Sequence, residues 1–145
     1  MANKKISFDE IIGVIDDFII LKKELLIDID FVIGMSRGGL VPAALLAGKI
    51  DKPLAAAYIN KQDEIFFDRA DWVKDKNVLV VDDVVRSGKT LWLLKNYLDS
   101  TSVPKSISFF TLFKIKSLLD NNYKIPVFSR EIDDDVVFPW DYDRK

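Results

Sequence analysis

Neither cysteine nor histidine occurs anywhere in the 145 residues. Without thiols the chain forms no disulfide and offers no thiolate nucleophile. Without imidazole it has no Ser-His-Asp triad, no usual general acid, and no ligand set for haem or structural zinc. Its chemistry must run on carboxylates, Lys, Arg, hydroxyls, backbone amides or a hard oxygen-bound cation such as Mg²⁺. That inventory suits phosphate-bearing substrates. Glycine and proline are scarce, at six and five residues, and no stretch rich in Gly, Pro or Ser marks a linker, so residues 1–145 read as one domain. Net charge is only −2, which provides no basic field for a polynucleotide, and no nucleic-acid partner is expected. No apolar run reaches the roughly eighteen residues of a membrane span, because Asp16 and Asp17 interrupt the most apolar early stretch, so no membrane partner is expected either. The basic start, Lys4-Lys5, runs into Ser7-Phe8-Asp9-Glu10 instead of the apolar core of a signal peptide, and a cytoplasmic location is expected.

Hydrophobic residues make up 49% of the chain, and their spacing sets the expected elements. Ser7 and Glu10 form a capping-box pattern ahead of a helix, whose apolar face is read as Ile12, Ile15 and Ile19. Phe31-Val32-Ile33-Gly34-Met35 is a short apolar run typical of a buried strand; it ends in Ser36-Arg37-Gly38-Gly39, and residues 40–50 have helical composition. Pro42 is tolerated in the first helical turn. Residues 53–59 read as a second buried strand, and residues 60–71, polar and without clean periodicity, as a flexible excursion. Residues 77–81 carry the strongest strand signal, ending abruptly at Asp82-Asp83. A helix with Leu91, Leu94 and Leu98 on one face follows, and residues 107–113 return to strand composition. This alternation predicts an α/β fold with a central, mainly parallel sheet flanked by helices, its ligands outside the carboxyl ends of the strands.

The segment Val78-Leu79-Val80-Val81-Asp82-Asp83-Val84-Val85-Arg86-Ser87-Gly88-Lys89-Thr90 is the richest in chemistry. Helix-opening amides form a cradle for phosphate, and Gly88 lets backbone approach it closely. A Walker A loop would need glycine at position 83, where Asp83 stands, which excludes a P-loop kinase. Adjacent acids beside a phosphate cradle are costly unless a cation or a set of hydroxyls lies between them.

These residues resemble the phosphoribosyl-pyrophosphate (PRPP) motif of the type I phosphoribosyltransferases. The resemblance implies a reaction in which PRPP and a nucleobase give a nucleoside 5-monophosphate and pyrophosphate with Mg²⁺. It implies that Asp82 and Asp83 bind the ribose hydroxyls and the metal, and that Arg86, Ser87, Gly88, Lys89 and Thr90 grip the 5-phosphate. Ser36-Arg37-Gly38-Gly39 is similar to the family's pyrophosphate loop, and residues 60–71 occupy the place of its small hood. Val136-Val137-Phe138-Pro139-Trp140-Asp141 resembles the tail of the xanthine-guanine enzymes, which implies a 6-oxopurine base and a base-binding set of Lys114, Lys116, Asp135, Val136 and Phe138. The motifs span roughly residues 30 to 141, and the family's habit implies a homodimer or homotetramer.

Two positions depart from that pattern. Where the family usually has an Asp that exchanges a proton with the purine, this chain has Arg86, which stays protonated at any ordinary pH. Losing such help costs about 10²- to 10⁴-fold in rate, and the guanidinium is left to meet phosphate or an anionic substrate. Where the bacterial enzymes place an aromatic ring against the base, Asp135 offers no π-face. Asp133-Asp134-Asp135 reads as a solvated turn, and Phe128 or Phe138 as the substitute for the ring. The competing reading is a non-catalytic PRPP-sensing regulator on the same fold.

Overall fold

The structure, a computed structural model, describes residues 3–141. Its elements run β1 (Asn3–Lys5), α1 (Phe8–Leu21), α2 (Lys23–Asp28), β2 (Phe31–Met35), α3 (Leu40–Ile50), β3 (Leu54–Ile59), β4 (Ile65–Phe66), α4 (Ala70–Val73), β5 (Asn77–Val85), α5 (Lys89–Thr101), β6 (Ser106–Ile115), β7 (Phe128–Ile132) and β8 (Asp135–Val137). Six strands form one sheet in the order β4-β3-β2-β5-β6-β7. Every pairing in it is parallel except β3 with the two-residue β4. The expected α/β architecture is present.

The sheet is parallel because both of its faces are covered. On β5, Leu79 and Val81 enter a cluster with Ile11, Ile15 and Phe18 of α1 and Leu46 of α3. Val78 and Val80 enter the opposite cluster with Leu91, Leu94 and Leu98 of α5. A strand buried on both sides needs apolar residues at every position, which explains the unbroken Val78-Leu79-Val80-Val81 run. Phe18 lies flat on Phe110 of β6, with ring centroids 4.0 Å apart.

The capping box forms as read: Glu10 N–H donates to Ser7 Oγ at 3.1 Å, and Ser7 N–H donates to the Glu10 carboxylate at 3.4 Å. The buried face of α1 is Ile11, Val14, Ile15 and Phe18, one step round from the Ile12, Ile15 and Ile19 stripe, because α1 must present Phe18 to Phe110. Three further expectations are corrected. Only Ala57 of β3 is fully buried, since that strand lies one place from the sheet edge beside the short β4. Residues 60–71 are not featureless: β3 and β4 form a hairpin with Tyr58 opposite Phe66. Its turn is held by Asn60, whose Oδ1 accepts from Gln62 and Glu64 N–H. And β5 does not stop at the acids but continues through them to Val85, because β6 goes on pairing, Asp82 opposite Thr111 and Val85 opposite Lys114.

Away from the main sheet, β1 and β8 pair in parallel, with Asn3 opposite Asp135 and Lys5 opposite Val137. Among the described residues no helix is long and apolar enough to cross a membrane.

Gly34, in the middle of β2, is where α3 comes closest to the sheet. A Cβ there would sit 2.7 Å from Ala43 Cβ and 3.1 Å from Leu40 Cδ2. Gly34→Ala is therefore expected to destabilise the protein by about 1–3 kcal/mol through overpacking, read as a lower urea midpoint with unchanged slope.

Candidate active site

β2 and β5 are neighbours, with Gly34 opposite Val81, so the loop leaving β2 and the acids near the end of β5 lie side by side. The contact is too close for side chains. A Cβ on Gly39 would stand 2.7 Å from Met35 O and 2.8 Å from both Asp82 Cα and Val81 O, and one on Gly38 would collide with Asp83 Oδ2. The two glycines are thus what lets the first loop seat itself against the carboxylate pair. The Ser36–Arg37 peptide bond in this loop is cis. Arg37 is exposed at its tip, and among the described residues the amides of Arg37, Gly38 and Gly39 make no backbone hydrogen bond. The loop that lies against the acids thus carries three amides not taken up by backbone carbonyls, with the Arg37 side chain exposed at its tip.

The acids are held by short-range bonds. Asp82 Oδ1 accepts from Asp83 N–H at 2.8 Å, Asp83 Oδ1 accepts from Val84 N–H at 2.8 Å, and Asp83 Oδ2 accepts from Trp140 Nε1 at 3.1 Å. Trp140 is itself stacked on Phe138, centroids 4.8 Å apart, and meets Phe8 of α1 edge-on. Burial foremost, and then the negative charge of Asp83, hold the Asp82 carboxyl well above the usual carboxylate range; the Asp83 N–H and the Arg86 guanidinium pull the other way without restoring it.

Residues 82–91 line a polar cavity of about 270 Å³. At its far end Gly88 has φ +95° and opens α5. A Cβ at Gly88 would meet Tyr123 O at 2.8 Å, so both its conformation and its surroundings demand glycine. Lys89 N–H donates to Ser87 Oγ at 3.2 Å, while the Lys89 ammonium pairs with Asp63 at 2.9 Å. Bonding to Asp63, together with its negative charge, raises the Lys89 pKa. The hairpin turn between β3 and β4 is thereby tied to the start of α5.

The nominated base-binding residues are only partly brought together. Arg86 and Asp135 meet: Arg86 Nε lies 3.1 and 3.2 Å from the two Asp135 carboxylate oxygens. Asp133 and Asp134 are exposed in a turn as expected, but Asp135 lies in β8 with its side chain only 14% exposed. Its burial is tolerated because Arg86 and Val136 N–H both donate to it. Lys114 and Lys116 both reach Glu131, at 3.9 and 3.5 Å, and Lys114 is the less exposed of the two. Val136 and Phe138 are core residues, so neither ring nor side chain is presented to a ligand. Phe128 packs toward Phe18 and under Lys22, lining a separate cavity beside α1. Lys114, with Val85, Ser87 and Gly88, instead opens a mainly apolar cavity of about 400 Å³ closed by Leu119, Asp120, Tyr123 and Ile125. Sequence reasoning missed this wall and the Asp63 tie. The Asp120-Asn121-Asn122 cluster was the signal available for the first, since it marks a turn after a strand.

Replacing Asp82 by Asn tests the electrostatics. Because the folded pKa of Asp82 lies above its unfolded value, its favourable contribution is complete below about pH 3.9 and is lost as pH rises through the folded pKa. Asp82→Asn is therefore expected to raise the melting temperature of the ligand-free protein at pH 7 by a few degrees and to have little effect near pH 4, as measured by calorimetry.

Comparison with known proteins shows the family and the fold. Residues 10–145 match the phosphoribosyl transferase domain family, so the match begins inside α1, further toward the N-terminus than the motifs do. A xanthine-guanine phosphoribosyltransferase of Desulfotalea psychrophila is 30% identical over 135 residues, 80% of this chain and 74% of that protein. Its counterpart in Cereibacter sphaeroides is 30% identical over 122 residues, 76% and 68% of the two chains. The crystal structure of a purine phosphoribosyltransferase from Pyrococcus horikoshii superimposes with a TM-score of 0.80 at 26% identity, covering 97% of this chain and 94% of that one.

Proposed function

The chain belongs to the phosphoribosyltransferases, and on that premise we propose that it transfers the phosphoribosyl group of PRPP to a 6-oxopurine, giving a nucleoside 5-monophosphate and pyrophosphate. The observation that carries this reading is the seating of Gly38 and Gly39 against Asp82 and Asp83. It sets a loop with unpaired amides and an exposed guanidinium against the two carboxylates, with the opening of α5 in the same cavity as the acids. A substrate with a diphosphate, two vicinal hydroxyls and a terminal phosphate complements that set group by group. The 6-oxopurine comes from the relatives, which are named for xanthine and guanine.

Asp82 and Asp83 accept hydrogen bonds from the ribose hydroxyls, and ionised acceptors make such bonds strong. The amides of residues 37–39 and Arg37 hold the diphosphate. The amides of Ser87 and Gly88 and those opening α5 receive the 5-phosphate, favoured by the helix dipole. A ring nitrogen of the base then forms its bond to ribose C1 as the C1–O bond breaks, and the electron pair leaves on the diphosphate. Because the loop donors meet the charge that develops there, they lower the barrier directly. The nitrogen's proton passes to solvent, since Arg86 and Lys114 accept none. The hairpin tied by Asp63 covers the site and limits water that would otherwise trap the ribosyl centre.

A divalent cation fits the acids. They offer hard oxygen donors, and no third acid joins them in a metal-binding cluster among the described residues. That matches Mg²⁺, which takes one or two carboxylates and completes its shell with water and substrate phosphates. When bound it neutralises charge on the diphosphate.

Titration calorimetry with PRPP, with and without Mg²⁺, is the test. Binding that requires Mg²⁺ is expected, followed by pyrophosphate release with 6-oxopurines. Asp82→Asn/Asp83→Asn should weaken binding at least about tenfold, the loss of one to two charge-assisted hydrogen bonds, in a protein that still melts cooperatively. PRPP binding unchanged in that variant would overturn the assignment.

A further inference from the structure

Arg86 and Asp135 are 49 positions apart in sequence, one on the loop that leaves the acids and the other on the strand β8. Their contact fixes more than charge. With Nε engaged by both carboxylate oxygens, the plane of the guanidinium is set. Its Nη groups make no hydrogen bond to any described residue. The Arg86 side chain is 40% exposed and lines the same cavity as Asp82, Asp83 and the residues opening α5. A guanidinium held by its Nε edge in this way presents a rigid pair of parallel N–H donors and no acceptor. The carboxylate behind it cancels its net charge, so what it offers a ligand is hydrogen-bond direction more than attraction.

Where Arg86 lies decides what it reads. The cavity runs from the acids, which take the ribose, to the α5 opening, which takes the 5-phosphate, and Arg86 stands between them. The adjoining, mainly apolar cavity shares Val85, Ser87 and Gly88 with it, and a base on ribose C1 that occupies this second cavity has Arg86 at its mouth. Lys114, which opens the adjoining cavity, is likewise a donor without an acceptor. A base edge facing these two side chains must consist of acceptors. A 6-oxopurine has such an edge in O6 and N7, and the fit of a guanidinium to that pair is close and bidentate. A 6-aminopurine places an N–H₂ donor in the same position.

We propose that Arg86 selects the base, donating from its Nη groups to O6 and N7 of a 6-oxopurine, and that Asp135 is the positioning residue that holds the guanidinium in that orientation. This rests on the transferase reading above and assigns its specificity to two named side chains. Arg86 thereby takes the base, not the 5-phosphate, as its partner, and selection replaces the proton exchange it cannot perform.

The test pairs a change in the enzyme with a change in the base. Affinity for guanine, 7-deazaguanine, which lacks the N7 acceptor, and adenine is measured as a dissociation or competitive inhibition constant, because removing N7 also weakens the attacking nitrogen and would lower turnover by itself; steady-state kinetics are followed with guanine. The wild-type protein, Arg86→Met, Arg86→Met/Asp135→Asn, Asp135→Asn and Asp135→Ala are compared. Wild type should prefer guanine over 7-deazaguanine by about tenfold to a hundredfold, the value of a bidentate contact, and should disfavour adenine at least as strongly. In Arg86→Met/Asp135→Asn, which leaves no unpaired buried carboxylate, the guanine to 7-deazaguanine ratio should fall to near one while KM for PRPP stays within about twofold. Asp135→Asn, which keeps an acceptor for Arg86, should retain most of the preference, and Asp135→Ala should lose it through KM for the base with kcat little changed. A guanine to 7-deazaguanine ratio that survives the loss of Arg86 overturns the proposal, as does a rise confined to KM for PRPP, which would place the guanidinium on phosphate. Absence of turnover by the wild type with every base would instead strike at the transferase reading itself, so the two failures are distinct.

Discussion

Two carboxylates in consecutive positions near the end of a central strand repel each other and resist losing water, and the rest of the site is arranged around that cost. Asp82 bears most of it, since burial and Asp83 together keep its carboxyl above the ordinary range. The remedies come from separate parts of the chain. The backbone of β5 turns its own N–H groups onto both side chains, Trp140 donates from the C-terminal segment, and Gly38 and Gly39 bring unpaired amides up from β2 without side chains in the way. None of these fully removes the repulsion. What remains is a site poised for partners that supply positive charge or hydroxyl donors, which is how strain in a ligand-free protein becomes affinity in the bound one.

Much of this was legible in the sequence because it is local. The continuous apolar run of β5, the capping box of Ser7 and Glu10, the Leu91, Leu94 and Leu98 face and both glycine loops follow from spacing alone, and the placing of the loops at one end of the sheet follows from the alternation of strands and helices. The unread parts depend on partners distant in sequence. The face of α1 lies one position from the stripe that spacing suggests because Ile11 and Phe18 are chosen by Phe110, about ninety residues later, and helical periodicity cannot distinguish adjacent stripes in a segment with six isoleucines among residues 6–20. The end of β5 was set early because acids usually end strands, whereas here β6 carries the ladder past them. Residues 60–71 read as a flexible excursion because a two-residue strand leaves no period to detect.

The base-binding side shows the same limit in electrostatic form. Taken singly, Arg86 is a base lost and Asp135 a ring lost, and each reads as a defect. Their pairing is invisible to any local pattern, yet it turns two unfavourable residues into one satisfied unit with a buried carboxylate properly matched. Lys114 and Lys116 could not be separated by sequence either, since both reach Glu131; only the difference in exposure and the cavity beside Lys114 divides them.

The small β1–β8 ribbon gives the amino-terminal residues an unexpected reach. Asn3, Lys4 and Lys5 are exposed and look like a segment that could be trimmed or joined to an affinity tag at no cost. Asn3 is nevertheless the register partner of Asp135, and Ile6 N–H extends the ribbon by donating to Val137 O at 2.9 Å. A fusion partner that pulls the first strand out of register would shift the strand on which Asp135 sits, and with it the orientation of Arg86. Labels and carriers for work on substrate preference are therefore better kept off both strands of the ribbon, because a handle on the amino terminus would be mechanically linked to the pocket it is meant to leave alone.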